Sequence, residues 1–136
     1  MTNIAYELGN QVQEELHTSD EINLISYDSL LIMGMGGSGV SGDVLKLLSN
    51  LASSTEINVV KNYSIPTHLI SKKPFCLFIS YSGNTEETIS GLNEAINNGF
   101  DFAVISSGGK LIELAKDFNK QYIQIPSGLQ PRAAFG

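Results

Sequence analysis

Pro74-Phe75-Cys76-Leu77-Phe78-Ile79 runs straight into Ser80-Tyr81-Ser82-Gly83-Asn84-Thr85-Glu86-Glu87-Thr88. A short, continuous apolar run bounded by turn residues is the pattern of a strand buried on both faces. The polar stretch after it opens a helical pattern over residues 85–97, with Ile89, Leu92, Ala95 and Ile96 on one side. Asn98-Gly99 then stops that helix. A strand that empties into a helix N-terminus leaves unpaired amides and a partial positive charge at the turn. With the hydroxyls of Ser80, Ser82 and Thr85 added, the segment reads as an anion trap.

The same alternation extends in both directions. Residues 5–16 carry Ala5, Leu8, Val12 and Leu16 at helical spacing, with acids opposite. Leu30-Leu31-Ile32-Met33 is a buried strand, followed by a helix over 38–51 whose inward side is expected to be Val40, Val44, Leu47, Leu48 and Leu51. Residues 56–60 form a second strand, and 62–73 a connection with one helical turn. The strand at 75–80 is the third. A fourth lies at 102–105, a helix at 110–118, and a fifth strand at 121–125 that Pro126 ends. Strands apolar on both faces and alternating with helices predict an open, parallel, five-stranded α/β sheet, three layers deep with helices on both faces. In strand order 2-1-3-4-5 the first and third strands are neighbours at the reversal point, where such sheets hold ligands. The loops 34–39 and 80–85 then face one crevice.

Gly34-Met35-Gly36-Gly37-Ser38-Gly39 has the form of a dinucleotide fingerprint. That fingerprint also needs an acid at the end of the second strand, about 20 residues on, to hold a ribose. Here the strand ends Val60-Lys61-Asn62, with Glu56 at its far end, so NAD is not expected. The glycines instead let Gly37 and Ser38 bring backbone and hydroxyl close to a ligand; a tight strand-to-helix turn without a ligand is the other reading. For the hydroxyl loop the alternative is capping alone, since Asn84 and Glu87 have capping-box spacing. Capping accounts for one polar residue and one acid, not for three hydroxyls and a glycine.

Glu86 and Glu87 suit the positive end of the helix dipole and are poor bases beside a phosphate. Arg132 is an isolated cation in Pro126-Ser127-Gly128-Leu129-Gln130-Pro131-Arg132. Its fixed donor fork fits an oxyanion, and an idle surface charge is the alternative. Ser106-Ser107-Gly108-Gly109 either borders the crevice or is a plain helix-opening turn. His17 and His68 have no neighbours at metal-ligand spacing, and Tyr63, Tyr81 and Tyr122 read as packing residues.

The 136 residues suit one domain. A net charge of −6, with eight scattered Lys and Arg, argues against nucleic acid as a partner. No apolar stretch approaches the roughly 20 residues that span a bilayer. The N-terminal residues show no signal-like core, and the single cysteine, Cys76, lies in the apolar strand as an inert thiol, so a reducing cytoplasm is the expected compartment.

The glycine loop, the segment 80–88 and Pro131-Arg132-Ala133-Ala134-Phe135-Gly136 together resemble the SIS (sugar isomerase) domain family. The likeness is nearest to the N-terminal half of the bifunctional phosphoglucose/phosphomannose isomerases. It implies a flavodoxin-like sheet whose Ser80, Ser82 and Thr85 hold a sugar phosphate, with Gly37 and Ser38 lining the pocket. It implies that Arg132 stabilises a cis-enediolate as glucose or mannose 6-phosphate interconverts with fructose 6-phosphate. No metal or nucleotide cofactor is implied. In the resembled enzymes the glutamate base and the ring-opening histidine lie in a second SIS domain. A chain ending at Gly136 is therefore expected to be part of a longer protein, catalytically incomplete alone, whose assembly is expected to be a homodimer. A non-catalytic sugar-phosphate sensor is the alternative.

Overall fold

The computed structural model describes residues 17–18, 27–52 and 55–128. The helical pattern at 5–16 and the segment 131–136, with Arg132, lie outside these residues. Along the chain come β1 (His17–Thr18), β2 (Ser29–Met33), α1 (Gly36–Ala52), β3 (Glu56–Val60), α2 (Thr67–Ile70) and β4 (Phe75–Ile79). They are followed by α3 (Glu86–Asn97), β5 (Phe102–Ser106), α4 (Gly109–Asp117) and β6 (Gln121–Gln124).

The sheet order is β1-β6-β5-β4-β2-β3. Its five strands from β2 to β6 are parallel and take the order 2-1-3-4-5, under which the sequence sets the two loops at one crevice. An additional two-residue strand, β1, pairs antiparallel with β6 through His17↔Gln124 and Thr18↔Ile123. Two residues are too few for any alternation to show in the sequence.

β2 and β4 are buried along their whole length, as central strands covered on both faces must be. On one face, Leu31, Met33, Cys76, Phe78 and Val104 pack with Leu69 of α2, Leu92 and Ala95 of α3, and Leu111, Ile112 and Ala115 of α4. On the other, Leu30, Ile32, Phe75, Leu77, Ile79 and Ala103 form a second cluster, and α1 lies on that side of β2 and β3. At the amino end of the strands Asp101 accepts bonds from Lys120 Nζ at 2.6 Å and from the Tyr27 hydroxyl. No described helix is long and apolar enough to cross a membrane.

α1 departs from expectation in two respects. It begins at Gly36, and its aliphatic stripe faces outward: Val40, Val44, Leu47 and Leu48 are each about half exposed or more, Leu47 at 65%. Among the described positions of the helix, the buried ones are Gly39 and Gly42. A Cβ on Gly42 would lie 3.0 Å from Ile32 Cγ2 and 3.2 Å from Val59 Cγ1; on Gly39 it would lie 2.7 Å from the Gly34 carbonyl oxygen. Backbone-to-sheet contact outcompetes aliphatic packing here, because a helix seated on glycines comes too close to the strands to insert leucines beneath it.

Two outcomes follow from this packing. Gly42→Val places branched carbons between α1 and Ile32, and is expected to lower the free energy of unfolding by about 1–3 kcal/mol in urea denaturation. Cys76 is fully buried, and burial pushes its thiol up to about 12, whereas the unfolded thiol titrates near its ordinary 9.0. The folded state thus holds the proton longer. The resulting stability is complete below about pH 9 and drains away as pH rises toward 12. The alkaline decline in urea midpoint should accordingly be shallower for Cys76→Ala than for the wild type, and equal slopes would exclude the thiol as its cause.

Candidate functional site

Because β2 and β4 are hydrogen-bonded neighbours, the loops leaving their carboxyl ends emerge side by side. Gly34 is tight against β4: a Cβ there would lie 2.9 Å from the Ile79 carbonyl oxygen. The chain then turns through Gly36, at φ +52°, into the first turn of α1. That conformation suits glycine and presents Gly37 and Ser38 at the helix start.

The loop after β4 is organised by its own hydroxyls. Ser80 is almost wholly buried; its Oγ lies 2.8 Å from Thr85 Oγ1 and accepts the Gly83 amide at 3.2 Å. Gly83 takes φ +71° to make the turn. Ser82 Oγ accepts the Asn84 amide at 3.2 Å. Thr85 is the N-cap of α3, yet its side chain does not bond the helix amides, so the first turn of the helix is left open toward the loop. Asn84 does not fill the capping-box role that its spacing with Glu87 suggested: its Oδ1 accepts the Lys110 amide of α4 at 3.0 Å.

Between the two loops lies a cavity of about 460 Å³. Gly37, Ser38, Ser80, Ser82 and Thr85, the five binding residues named from the sequence, all line it. Ser41, one helical turn after Ser38, adds a further hydroxyl. Most of the remaining wall is apolar, formed by Met35, by Leu45 of α1 and by Ile79, Ile105 and Ile125 at or beside the strand ends. These were missed as site residues because an isoleucine closing a buried strand looks the same in sequence whether it meets a helix or a cavity. Tyr81, taken as a packing residue, is also part of the lining. Arg132 lies outside the described residues.

Among the described residues no carboxylate, imidazole or cationic side chain lines the cavity. An anion entering it would meet helix-terminal amides and hydroxyls only. Glu86 and Glu87 lie in the first turn of α3 but off the cavity wall. The charge of Glu87 foremost pushes the Tyr63 phenol above its ordinary range. Among the described residues no cluster of three or more His, Cys, Asp or Glu gathers at metal-binding distance. Ser106, Ser107, Gly108 and Gly109 do not border the cavity; they pack against the back of the hydroxyl loop.

The SIS domain model matches residues 23–124. Curated relatives include bifunctional phosphoglucose/phosphomannose isomerases of Thermoplasma acidophilum, 41% identical over 111 residues, and of Caldicellulosiruptor bescii, 36% identical over 132 residues. These alignments take in 82% and 97% of this chain but only 33% and 37% of the relatives. A D-glucosamine-6-phosphate 4-epimerase of Sulfolobus acidocaldarius is 33% identical over 136 residues, across 99% of this chain and 42% of its own. The chain thus spans about a third to two fifths of the length of these relatives. Among solved structures, the Vibrio vulnificus NanR protein complexed with ManNAc-6P superposes with a TM-score of 0.56 at 15% identity, over 96% of this chain and 44% of that one, a likeness of fold. Since the match from residue 23 to residue 124 takes in the whole parallel sheet and both loops of the cavity, the chain belongs to the SIS domain family.

Proposed function

We propose that the cavity binds the phosphate of a phosphorylated sugar, and that the chain is the sugar-phosphate-binding unit of an aldose–ketose isomerase. The observation that carries this reading is the convergence of Ser38, Ser80, Ser82 and Thr85 with the open N-terminus of α3 on one cavity. Hydrogen bonds to a charged group are each worth about 1.5–3 kcal/mol, so a few of them hold a phosphate without a cationic side chain. The curated relatives support a sugar as the rest of the ligand, because the isomerases and the epimerase alike are named for phosphorylated sugars.

Within that reading the hydroxyls divide their work. Ser82 and Thr85 meet the phosphate oxygens, while Ser80, buried and already engaged, holds Thr85 and the turn in place. The phosphate is thereby anchored away from the reacting carbons, and its binding energy orients the sugar. Glucose or mannose 6-phosphate is the proposed aldose and fructose 6-phosphate the ketose. A base removes the proton at C2 and returns it at C1, with Arg132 balancing the charge of the intervening enediolate. The base and the ring-opening acid are assigned to a second SIS domain of a longer polypeptide, paired with this one, rather than to any residue that lines the cavity.

A second reading, a sensor that binds a sugar phosphate without transforming it, is favoured by the lack of any proton-transferring carboxylate or imidazole among the described cavity residues. Kinetics on a polypeptide carrying both halves distinguishes the two. There Arg132→Ala is expected to lower kcat more than it weakens ground-state binding, and equal losses would make it a uniform binding residue.

Titration with fructose 6-phosphate by calorimetry tests the anchor itself. Ser82→Ala should weaken affinity roughly 10-fold or more, the equivalent of one lost hydrogen bond to a charged group, and unchanged affinity would remove the phosphate-anchor assignment. Ser80→Ala should behave differently. It removes the Thr85 hydroxyl's partner and one of the two acceptors of the Gly83 amide, the Ser80 carbonyl at 3.1 Å remaining, and is expected to cost about 1–3 kcal/mol in urea unfolding. Ser82→Ala should stay within about 0.5 kcal/mol by the same measurement.

A further inference from the structure

We infer that the loop between β5 and α4, tied to the hydroxyl loop through Asn84, Ser107 and Gly109, is a positioning half of the phosphate site, and that anion binding at α3 is coupled to the N-terminus of α4. This rests on the sugar-phosphate reading of the cavity and adds residues that do not touch the ligand.

The two loops are joined at several points. Tyr81 carbonyl oxygen accepts both the Ser107 hydroxyl, at 2.6 Å, and the Ser107 amide, at 3.0 Å. The Leu111 amide donates to the Gly83 carbonyl at 3.0 Å, and the Lys110 amide donates to Asn84 Oδ1 at 3.0 Å. The first turn of α4 is therefore capped from the hydroxyl loop, not by its own N-cap, Gly108, which has no side chain to offer. Asn84 works in both directions at once. Its side chain holds α4, while its amide holds Ser82 Oγ.

Two glycines make the contact possible. A Cβ on Gly83 would lie 1.8 Å from the Gly108 carbonyl oxygen, and one on Gly109, at φ +70°, would lie 2.5 Å from the Ser82 carbonyl and 2.8 Å from Asn84 Oδ1. The loops interlock at backbone distance. Ser106 closes the arrangement from beneath: fully buried, its hydroxyl donates to the Gly108 carbonyl at 2.8 Å. Any shift of α4's first turn is thus passed to Ser82 and Thr85 on either side of Asn84. By thermodynamic reciprocity, a ligand that fixes Ser82 and Thr85 also fixes the cap of α4.

Hydrogen exchange at the Lys110 amide, measured with and without fructose 6-phosphate, reads this coupling in the wild-type chain and needs no variant to fold. Calorimetric titration of the wild type, Asn84→Ala and Ser107→Ala with fructose 6-phosphate and with inorganic phosphate completes the test. Ligand is expected to slow exchange at Lys110 in the wild type but not in Asn84→Ala, and both substitutions are expected to weaken both ligands, Asn84→Ala by roughly 10-fold. A plain structural cap would leave Lys110 exchange indifferent to ligand. Binding by the wild type with unchanged Lys110 exchange, or wild-type affinity in both variants, overturns this inference and leaves the phosphate reading intact. Failure of the wild type to bind either ligand overturns both.

Discussion

The parallel pairing of β2 with β4 is the constraint from which the rest of the molecule follows. Leu30↔Phe75 through Met33↔Phe78 set two wholly buried strands side by side, though β3 and two helices separate them in sequence. From that pair the chain is laid outward in opposite directions, to β3 on one side and to β5 and β6 on the other. The crossovers then place α1 on one face and α3 and α4 on the other. The loops at the reversal have no helix between them, and the cavity is the space this leaves.

As the proposed anion site, that space would rely on backbone and hydroxyl dipoles alone among the described residues. A net charge of −6 provides no long-range attraction for a phosphate. Selectivity has to come from short, directed hydrogen bonds, which makes the rigidity of the donor loop matter more than the local charge. The Ser80 hydroxyl, the Gly83 amide and the Asn84 side-chain oxygen are accordingly engaged in holding the loops.

Much of this was legible in the amino-acid sequence where the signal is local. The central strands are continuous apolar runs, and all five strands could be placed from such runs and their spacing; the two loops share a crevice only in the order 2-1-3-4-5, which no local pattern fixes. What was not legible depends on contacts between distant residues. The aliphatic side of α1 has a well-formed helical period, yet Gly39 and Gly42 take the sheet, because glycine's advantage is measured against Ile32 and Val59 and not against its sequence neighbours. Asn84 sits at capping distance from Glu87 in sequence, but caps a helix that starts at Gly109. Ile79, Ile105 and Ile125, at or beside the carboxyl ends of their strands, meet a cavity instead of a helix, a difference with no counterpart in residue type.

The separation of the two loops along the chain also bears on how the protein acquires its site. Neither the glycine loop nor the hydroxyl loop can form half a pocket alone, and they meet only after the non-local β2–β4 pairing is complete. Such pairings incur their loop-closure entropy before any contact rewards it, so they come slowly in folding. A ligand for this cavity has nothing to recognise in a partly folded chain. A ligand that binds there would stabilise the native state alone, by an amount that grows with its concentration relative to its Kd.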